Sequence, residues 1–237
     1  MTSLAGTTQA VATDSRLPDF DVQCPLLSLP FVFRTQLATI PSAVPYLRAS
    51  PQAVMDWATR LGPKRRPRIG LAWSGRPTHK DDLNRSISLG ALLPLLDIDA
   101  TFVSLQQDVR TDDAMVLKER SDLLHFGDAL RDFSDTAALI SNLDLVISVD
   151  TSVVHLAGAL AKPVWVMLPF TPDWRWLLDR DDSPWYPTVR LFRQDETRAW
   201  DKVIARVHAA LRDFAMSNLS HNAQVGPRLS SEFETPP

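Results

Sequence analysis

The protein has 237 residues, of which 45% are hydrophobic, and a formal net charge of −3 at pH 7. This composition can build a packed core, and its mild acidity gives no reason to expect a nucleic-acid partner. The single cysteine, Cys24, excludes an internal disulfide framework and favours a reducing, cytoplasmic setting. The longest apolar stretch, residues 143–168, contains charged residues, so we expect no transmembrane segment. The amino terminus lacks the pattern of a secretory signal.

Four regions are predicted along the chain. Residues 1–16 and 217–237 are polar and show no hydrophobic period, which predicts a disordered amino terminus and a disordered tail. Residues 17–66 are rich in proline and contain one helix, Pro51 to Leu61, with Ser50 as its N-cap. Residues 67–216 carry a regular pattern and are predicted to form one Rossmann-like domain.

Strands and helices alternate in this domain. Strands are predicted at 69–73, 101–105, 125–126, 144–149 and 163–168. Helices are predicted near 88–96 and at 134–142, 152–161 and 199–215, with a short one after the second strand. This alternation predicts an α/β fold with a parallel, doubly wound sheet.

The turn after strand 144–149 is a candidate binding site. It carries Asp150, Thr151 and Ser152, and His155 follows one helical turn later. Ligands of open α/β sheets bind outside the carboxyl ends of the strands, and a helix amino terminus attracts phosphate. The residues alone leave two interpretations open. In the first, Thr151 or Ser152 caps the helix and the turn binds an anion. In the second, Asp150 and Thr151 merely cap the helix, and His155 is a core histidine.

A second polar loop, residues 74–86, follows the first strand. Ser74 and Gly75 can bring backbone N–H groups close to a ligand, and Lys80 and Arg85 can neutralise a diphosphate. The alternative is an ordinary exposed turn with scattered charges. The chain contains neither GxGxxG nor GxxxxGK[ST], which removes the best support for a dehydrogenase or a P-loop NTPase.

Two more segments follow predicted strands. Gln106 and Asp108 are candidates for binding ribose hydroxyls. Segment 168–187 holds three of the seven tryptophans, which either stack a sugar or a base or anchor an irregular loop on the core. No Cys/His metal spacing and no nucleophile motif occur, so neither a metal site nor a nucleophile is predicted.

Several segments, taken together, resemble a known family. They are IGLAWSG with HKDDLNRS, then FVSLQ, DLVISVDTSVVHLAGALAKPVW and LPFTPDWRWL. In this order they resemble the carboxyl-terminal half of bacterial family 9 glycosyltransferases, which are related to heptosyltransferases. The resemblance is strongest to the forms fused behind tetratricopeptide repeats, and it covers about Leu17 to Leu211.

The resemblance implies a GT-B fold, in which two Rossmann-like domains face each other, and implies that this chain carries the donor-binding half. A nucleotide diphospho-sugar would be the donor substrate, with no further cofactor and no metal. The residues that would contact its diphosphate and sugar are Ser74, Gly75, Lys80, Arg85, Asp150, Thr151, Ser152 and His155. Gln106 or Asp108 would lie near the ribose.

One departure from the family concerns the general base. The family's base comes from the amino-terminal domain, of which only residues 17–61 resemble a remnant, ending in the interdomain helix. Asp19 and Asp21 are better explained as loop residues, so the catalytic base is unknown. With the rest of that domain absent, the surface that faces it is expected to be partly apolar and exposed.

Two functions follow from this pattern. The first is a glycosyltransferase that acts on an unidentified glycan, lipid-linked sugar or protein, with self-association or a partner completing the acceptor side. The alternative is a noncatalytic nucleotide-sugar-binding or interaction module that has lost its acceptor domain. A sugar-nucleotide epimerase of the same fold is disfavoured because it also needs two full domains.

Overall fold

The structure is a computed structural model that describes residues 9–12 and 14–224. Six parallel strands form its one sheet, in the order β3-β2-β1-β4-β5-β6. The strands are β1 (Arg68–Ala72), β2 (Thr101–Ser104), β3 (Leu123–His125), β4 (Leu145–Val149), β5 (Val164–Leu168) and β6 (Val189–Arg193). This is the strand order of the Rossmann fold, and it confirms the predicted parallel, doubly wound sheet.

Helices cover both faces of the sheet. They are α1 (Leu29–Val32), α2 (Pro51–Leu61), α3 (Asp82–Arg85), α4 (Leu89–Leu92), α5 (Thr111–Glu119), α6 (Phe133–Ser141), α7 (Ser152–Ala159) and α8 (Trp200–Gln224). Short 3-10 helices occupy Leu26–Ser28, Leu37–Thr39, Leu93–Asp97, Gly127–Ala129 and Trp174–Trp176. The predicted start of α2 is confirmed, with Ser50 at the N-cap and Pro51 in the first turn, although no side chain caps it.

The strands contribute to two separate hydrophobic cores. Along β4, Val146 packs into the core beneath α2, α6 and α7, while Leu145 and Ile147 pack into the core beneath α4 and α8. Every residue of β1, β4 and β5 is buried. Burial on both faces explains why these strands read as continuous apolar runs in the sequence.

Strand β6 is absent from the sequence prediction. Arg190 and Arg193 interrupt its apolar residues, and it forms an edge of the sheet, paired with β5 alone. Its apolar signal in the sequence is therefore weak. Arg193 donates from its guanidinium to the carbonyls of Trp176, Leu177 and Arg180, at 2.5, 3.0 and 2.8 Å. These bonds fold the tryptophan-rich segment back onto the sheet edge.

The last helix is longer than predicted. It runs Trp200–Gln224 instead of 199–215, so residues 217–224, assigned above to a disordered tail, are helical. No glycine or proline interrupts this stretch before Gly226 and Pro227, which explains why helix can continue without an apolar period. Residues 225–237, and 1–8 with 13 of the predicted disordered amino terminus, lie outside the described residues.

The amino-terminal segment carries several exposed apolar side chains. Leu27, Phe31 and Phe33 are 86%, 87% and 74% exposed, and α1 buries none of its residues. Further along, the backbone N–H groups of Tyr46 and Leu47 both donate to the carbonyl of one residue in α7. The segment before α2 therefore attaches to the domain through α7. No helix among the described residues has the length and apolarity needed to span a bilayer.

Candidate functional site

The sheet reverses its winding between β1 and β4. These strands are neighbours, and the chain leaves each of them toward a different face of the sheet, so their following loops separate. A cleft of about 560 Å³ opens at this edge and extends over β5 and β6. Its lining residues are His79, Asp81, Leu83, Asn84, Arg85, Asp150, Pro169, Phe170, Thr171, Pro172, Asp173, Gln194, Arg198 and Trp200. The cleft lies where ligands of this sheet architecture bind.

Gln106 joins the loop after β1 to the loop after β2. Its buried Oε1 accepts from the backbone N–H groups of Trp73 and Ser74, both at 3.2 Å. Its Nε2 donates to the carbonyls of Ser74 and Asp108, both at 3.0 Å. The amide is bonded within the protein on both its oxygen and its nitrogen, and the contact of Gln106 with a nucleoside stays a prediction. Asp108, which is exposed, is the other candidate at the end of β2.

The backbone of the β1 loop is also occupied. The Ser74 N–H donates to Gln106 Oε1, and the Gly75 N–H donates to Ser86 Oγ at 3.0 Å. The contact of Ser74 and Gly75 with a diphosphate stays a prediction. Gly75 has another role, because a Cβ there would lie 2.9 Å from Arg85 Cζ. The glycine leaves room for this guanidinium, and the buried Ser74 Oγ has no hydrogen-bond partner within the described chain.

Arg85 is the main cation at the crossover. It ends the one-turn helix α3, and its Nη1 donates to the backbone carbonyl of Asp150 at 2.8 Å, which joins the loops after β1 and β4. Its Nε is buried without a partner, and no carboxylate of residues 9–12 or 14–224 is within ion-pair distance. An unneutralised guanidinium in a cleft is suited to an anionic ligand.

A second network supports this arginine from behind. Buried Asp82 accepts from Arg110 Nη2 at 2.5 Å and from Ser86 Oγ at 2.7 Å. Buried Asp113 accepts from the Trp73 indole at 2.8 Å and from a backbone N–H of α4. These carboxylates are committed to holding the loop, which leaves Arg85 free to face the cleft.

Helix α7 begins at the same crossover with an open amino terminus. Thr151 occupies the N-cap position in an extended conformation, but no side chain makes a capping hydrogen bond. Its Oγ1 lies 3.3 Å from Ser148 Oγ instead, and Ser152 is exposed. The prediction that Thr151 or Ser152 caps the helix is wrong, and the uncapped N–H groups remain available to an anion.

Asp150 is a partly buried carboxyl group beside these donors. Burial raises its pKa above the ordinary 3.8, an effect that nearby Trp176, His155 and Arg85 partly offset. The Trp176 indole N–H lies close to it but makes no hydrogen bond of normal geometry. Removal from water disfavours the charged carboxylate, so this group has a stronger affinity for a proton than an exposed aspartate.

His155 lies behind Asp150, within an aromatic cluster. Its ring stacks on Trp176 at a centroid distance of 5.5 Å, and its Nδ1 is 3.2 Å from Tyr186 Oη. The Tyr186 hydroxyl is in turn 3.5 Å from Tyr46 Oη. His155 does not line the cleft. The structure therefore assigns it a packing role next to the site, and its predicted contact with the donor remains a prediction.

The pKa of His155 predicts a pH dependence of stability. Burial, with a smaller effect from Arg175, lowers this pKa below 6.5, so the unfolded chain binds the proton more readily than the folded chain. The free energy of unfolding should be highest above pH 6.5. It should fall as the pH drops from 6.5 toward the folded-state pKa of His155. His155→Asn should lose less stability over the same range, measured by urea unfolding at a series of pH values.

Two other groups with shifted pKa values, Asp150 and His125, also affect the pH dependence of stability. Burial also raises the pKa of neighbouring Asp150, so its contribution lowers the free energy of unfolding as the pH rises from 3.8 to the folded-state pKa of Asp150. At lower pH this effect opposes that of the histidine. Burial lowers the pKa of His125 as well, so His125→Asn should remove a separate share. Equal slopes for the wild type and His155→Asn would contradict the prediction.

The loops after β5 and β6 also line the cleft; the first belongs to the predicted candidate segment 168–187, and the second was not predicted. Phe170, Thr171 and Asp173 follow β5, and Gln194 and Arg198 follow β6. The β5 residues lie in the tryptophan-rich segment, so their position after a strand was a usable signal. The β6 residues had none, because that strand was not predicted.

The three tryptophans of this segment divide between the two interpretations. Trp176 is fully buried and anchors the loop, and Trp185 Nε1 donates to the Arg175 carbonyl at 3.0 Å. Trp174 is 62% exposed, with the Arg175 guanidinium 4.6 Å from its ring centre. Anchoring thus accounts for two of the three.

Other predicted residues lie apart from the cleft lining. Lys80 is exposed, between two residues that do line it, and Asp19 and Asp21 are exposed on the amino-terminal segment. Within the described part of the chain, no cluster of three or more histidine, cysteine or acidic side chains is arranged to hold a metal ion. The crossover thus brings together Ser74, Gly75, Arg85, Asp150 and the amino terminus of α7.

The strand order and this crossover define a fold class: a Rossmann-like domain of the kind that forms half of a GT-B fold. Residues 131–202 match the family model of glycosyltransferase family 9 (heptosyltransferase). This stretch is less than a third of the chain and runs from the start of α6 into α8. It contains the β4, β5 and β6 sides of the cleft, so the matched stretch includes part of the candidate site.

Individual proteins show the same likeness. The chain is 30% identical over 192 residues to Protein FlbA of Caulobacter vibrioides, covering 78% of this chain and 32% of that protein. It resembles the structure of E. coli ADP-heptose LPS heptosyltransferase II, with 14% identity and a TM-score of 0.52, over 76% of this chain and 56% of that chain. The family 9 glycosyl transferase from Veillonella parvula matches with 10% identity and a TM-score of 0.46, over 76% and 52%.

The chain therefore spans about a third of FlbA and little more than half of the heptosyltransferase chain. The structural likeness confirms the predicted half of a GT-B fold. The more detailed resemblance, to forms fused behind tetratricopeptide repeats, stays a prediction.

Proposed function

We propose that this chain binds a nucleotide diphospho-sugar at the crossover between β1 and β4 and acts as a glycosyltransferase. One observation carries the proposal. Arg85 has no carboxylate partner in the described chain and lies at the crossover where α7 begins with an uncapped amino terminus. A guanidinium and free N–H groups at one point form a site for a diphosphate.

The chemistry would be displacement of the nucleoside diphosphate from the anomeric carbon by an acceptor hydroxyl. The bond from that carbon to the diphosphate oxygen breaks, the bond to the acceptor oxygen forms, and the acceptor proton passes to a base. Arg85 and the α7 N–H groups would stabilise the charge that develops on the leaving diphosphate. This arrangement requires no metal ion, so we expect activity to persist in EDTA.

The nucleoside would lie on the β2 side of the diphosphate. The exposed Asp108 follows β2, and its carbonyl is held by Gln106, which also fixes the β1 loop. A carboxylate at this position can accept hydrogen bonds from ribose hydroxyls. The acceptor, a glycan, a lipid-linked sugar or a protein, would enter from the open side of the cleft, completed by a second copy or a partner. The single cysteine and the nucleotide donor fit a cytoplasmic location.

Calorimetric titration with UDP, ADP and GDP, followed by their glycosyl esters, tests the donor site. Assays of donor hydrolysis and of transfer to added acceptors follow. We expect one nucleoside diphosphate to bind in the micromolar range and its sugar ester to be hydrolysed or transferred. Binding without turnover would assign the chain to the alternative, a noncatalytic nucleotide-sugar-binding module. The absence of binding by all three nucleotides would refute the donor site.

A further inference from the structure

A hydrogen-bonded array of Tyr46, Tyr186 and His155 joins the segment before α2 to the first turn of α7. His155 Nδ1 is 3.2 Å from Tyr186 Oη, which is 3.5 Å from Tyr46 Oη. Tyr46 and Tyr186 are the two tyrosines of the whole sequence. Three residues that are distant in sequence therefore meet through their polar atoms beside the candidate site.

The rings of this array leave His155 little freedom to rotate. Its imidazole stacks on Trp176, with ring centres 5.5 Å apart and planes inclined by 12°, and it lies 5.8 Å from the Tyr186 ring centre. Tyr186 is buried and lies against α7, where a Cβ on Gly158 would come within 2.6 Å of the tyrosine ring. The glycine permits this close approach, so the Tyr186 ring is held between the helix and the histidine.

The direction of the hydrogen bonds follows from the chemistry of the groups. Burial raises the pKa of Tyr186, so its phenol stays neutral and keeps a proton to donate. An unprotonated imidazole nitrogen is a stronger acceptor than a phenol oxygen, so Tyr186 donates to His155 Nδ1 and accepts from Tyr46. Burial lowers the pKa of His155, which keeps its ring neutral above pH 6.5. A neutral ring that accepts at Nδ1 carries its proton on Nε2.

The second ring nitrogen of His155 is left without a protein partner. Nε2 makes no hydrogen bond with residues 9–12 or 14–224, and it is not fully buried. The array thus decides which nitrogen carries the free proton at the end of β4.

The segment before α2 is also fastened to the far end of α7. The backbone N–H groups of Tyr46 and Leu47 donate to the Ala159 carbonyl at 3.1 and 3.2 Å, and Ala159 is the last residue of the helix. Through Tyr186, the Tyr46 side chain reaches His155 in the first turn. The uncapped N–H groups of α7 belong to that turn. A helix held at both ends keeps these N–H groups in one place.

We propose that Tyr186 and Tyr46 are positioning residues, which hold His155 as its Nε2–H tautomer and thereby fix the amino terminus of α7. Through them the segment before α2 acts on the candidate site. The tautomer depends on no ligand, whereas an effect on diphosphate affinity rests on the proposed function. The loss of one uncharged hydrogen bond sets the size of that effect at about three- to tenfold.

The test identifies the protonated nitrogen of each histidine by long-range ¹H–¹⁵N NMR of the labelled full chain at about pH 8, where imidazoles are neutral. Tyr186→Phe and Tyr46→Phe each remove one hydroxyl and keep the ring. Thr59→Val is the matched control, because it removes an exposed hydroxyl that bonds a carbonyl within α2. His125 is an internal control, since it lies on β3, three strands from β4, and its Nδ1 bonds Ser104 Oγ.

In the wild type we expect His155 to be protonated on Nε2 alone, with its signals identified by their loss in His155→Asn. Tyr186→Phe should give a mixture of both tautomers, because Nδ1 loses its donor. Tyr46→Phe should cause a smaller shift in the same direction. The His125 signals should stay unchanged in all variants, and Thr59→Val should leave the His155 tautomer as it is.

The position of α7 has its own two measurements. The backbone amide signals of Ser152 and Val153, in the first turn, should move in Tyr186→Phe and stay in place in Thr59→Val. Calorimetry with UDP, ADP and GDP should show about three- to tenfold weaker binding of the preferred diphosphate by Tyr186→Phe.

Several outcomes would overturn the inference. They are an Nδ1–H tautomer in the wild type, a tautomer that Tyr186→Phe leaves unchanged, and a shifted tautomer with unmoved amide signals of Ser152 and Val153. If none of the three nucleotides binds, the donor site is refuted, while the tautomer and the amide signals still decide the role of the tyrosines. If a nucleotide binds Tyr186→Phe as tightly as the wild type, the donor site stands and the positioning role is overturned.

Discussion

Replacing Arg85 with alanine should weaken the binding of a nucleoside diphosphate by about tenfold to 100-fold, the effect of losing charge-assisted hydrogen bonds to an anion. The reason is that this guanidinium forms no ion pair with a carboxylate in the described chain, whereas another arginine of the same region, Arg110, is paired with Asp82. The affinity should also become less dependent on salt concentration, because one charge fewer contributes. Calorimetry at two ionic strengths measures both effects.

Arg76→Ala provides the matched control, since this arginine belongs to the same loop, is exposed and is not part of the cleft lining. It should leave the affinity nearly unchanged. Arg85→Lys should retain part of the binding, because the charge remains while the bond to the Asp150 carbonyl is weakened. If Arg85→Ala binds as tightly as Arg76→Ala and both are folded, Arg85 is a structural link between two loops and not a diphosphate ligand.

Truncating Trp176 to alanine should cost about 3–5 kcal/mol of unfolding free energy, the range for removing a large buried aromatic side chain. The ring is completely buried, stacks on His155 and belongs to the core beneath α7. Because the same ring lies against Asp150 and His155, the carboxyl end of β4 should also become less ordered. Urea unfolding, with the m-value checked for constancy, gives the stability.

Trp176→Phe separates packing from polarity. It keeps an aromatic ring and removes an indole N–H that is buried without a hydrogen-bond partner. We expect it to cost less than about 1.5 kcal/mol. Similar costs for the alanine and phenylalanine variants would show that the ring's packing contributes little, contrary to its burial.

The sheet was predictable to the extent that its strands are buried. β1, β2, β4 and β5 were located within a residue or two, because burial on both faces demands continuous apolar runs. β6 lies at the edge, where exposed Arg190 and half-buried Arg193 interrupt the run, and it was missed. The part of the cleft that follows β6 was missed with it, since Gln194 and Arg198 have no recognisable role until that strand is in place.

The candidate site shows the same division. Asp150 and Arg85 were chosen because polar residues at the carboxyl ends of strands face ligands in this architecture, and the structure joins them by a hydrogen bond. Gln106 satisfied the same rule but lies buried, with its amide bonded to two loops. Position along a strand predicts which edge a residue occupies. It does not predict which groups the neighbouring loops will have already taken.

The sequence by itself determined the fold class and the strand-to-helix turn at Asp150, because hydrophobic period and polar punctuation are local properties of the chain. Only the tertiary structure decided which polar groups remain free. The carboxylates Asp82 and Asp113 and the amide of Gln106 hold the β1 loop. Arg85 Nε has no hydrogen-bond partner among the described residues, and no side chain caps the start of α7. Hydrogen-bond partners come from residues distant in sequence, so the availability of a group for a ligand depends on contacts that only the folded chain creates.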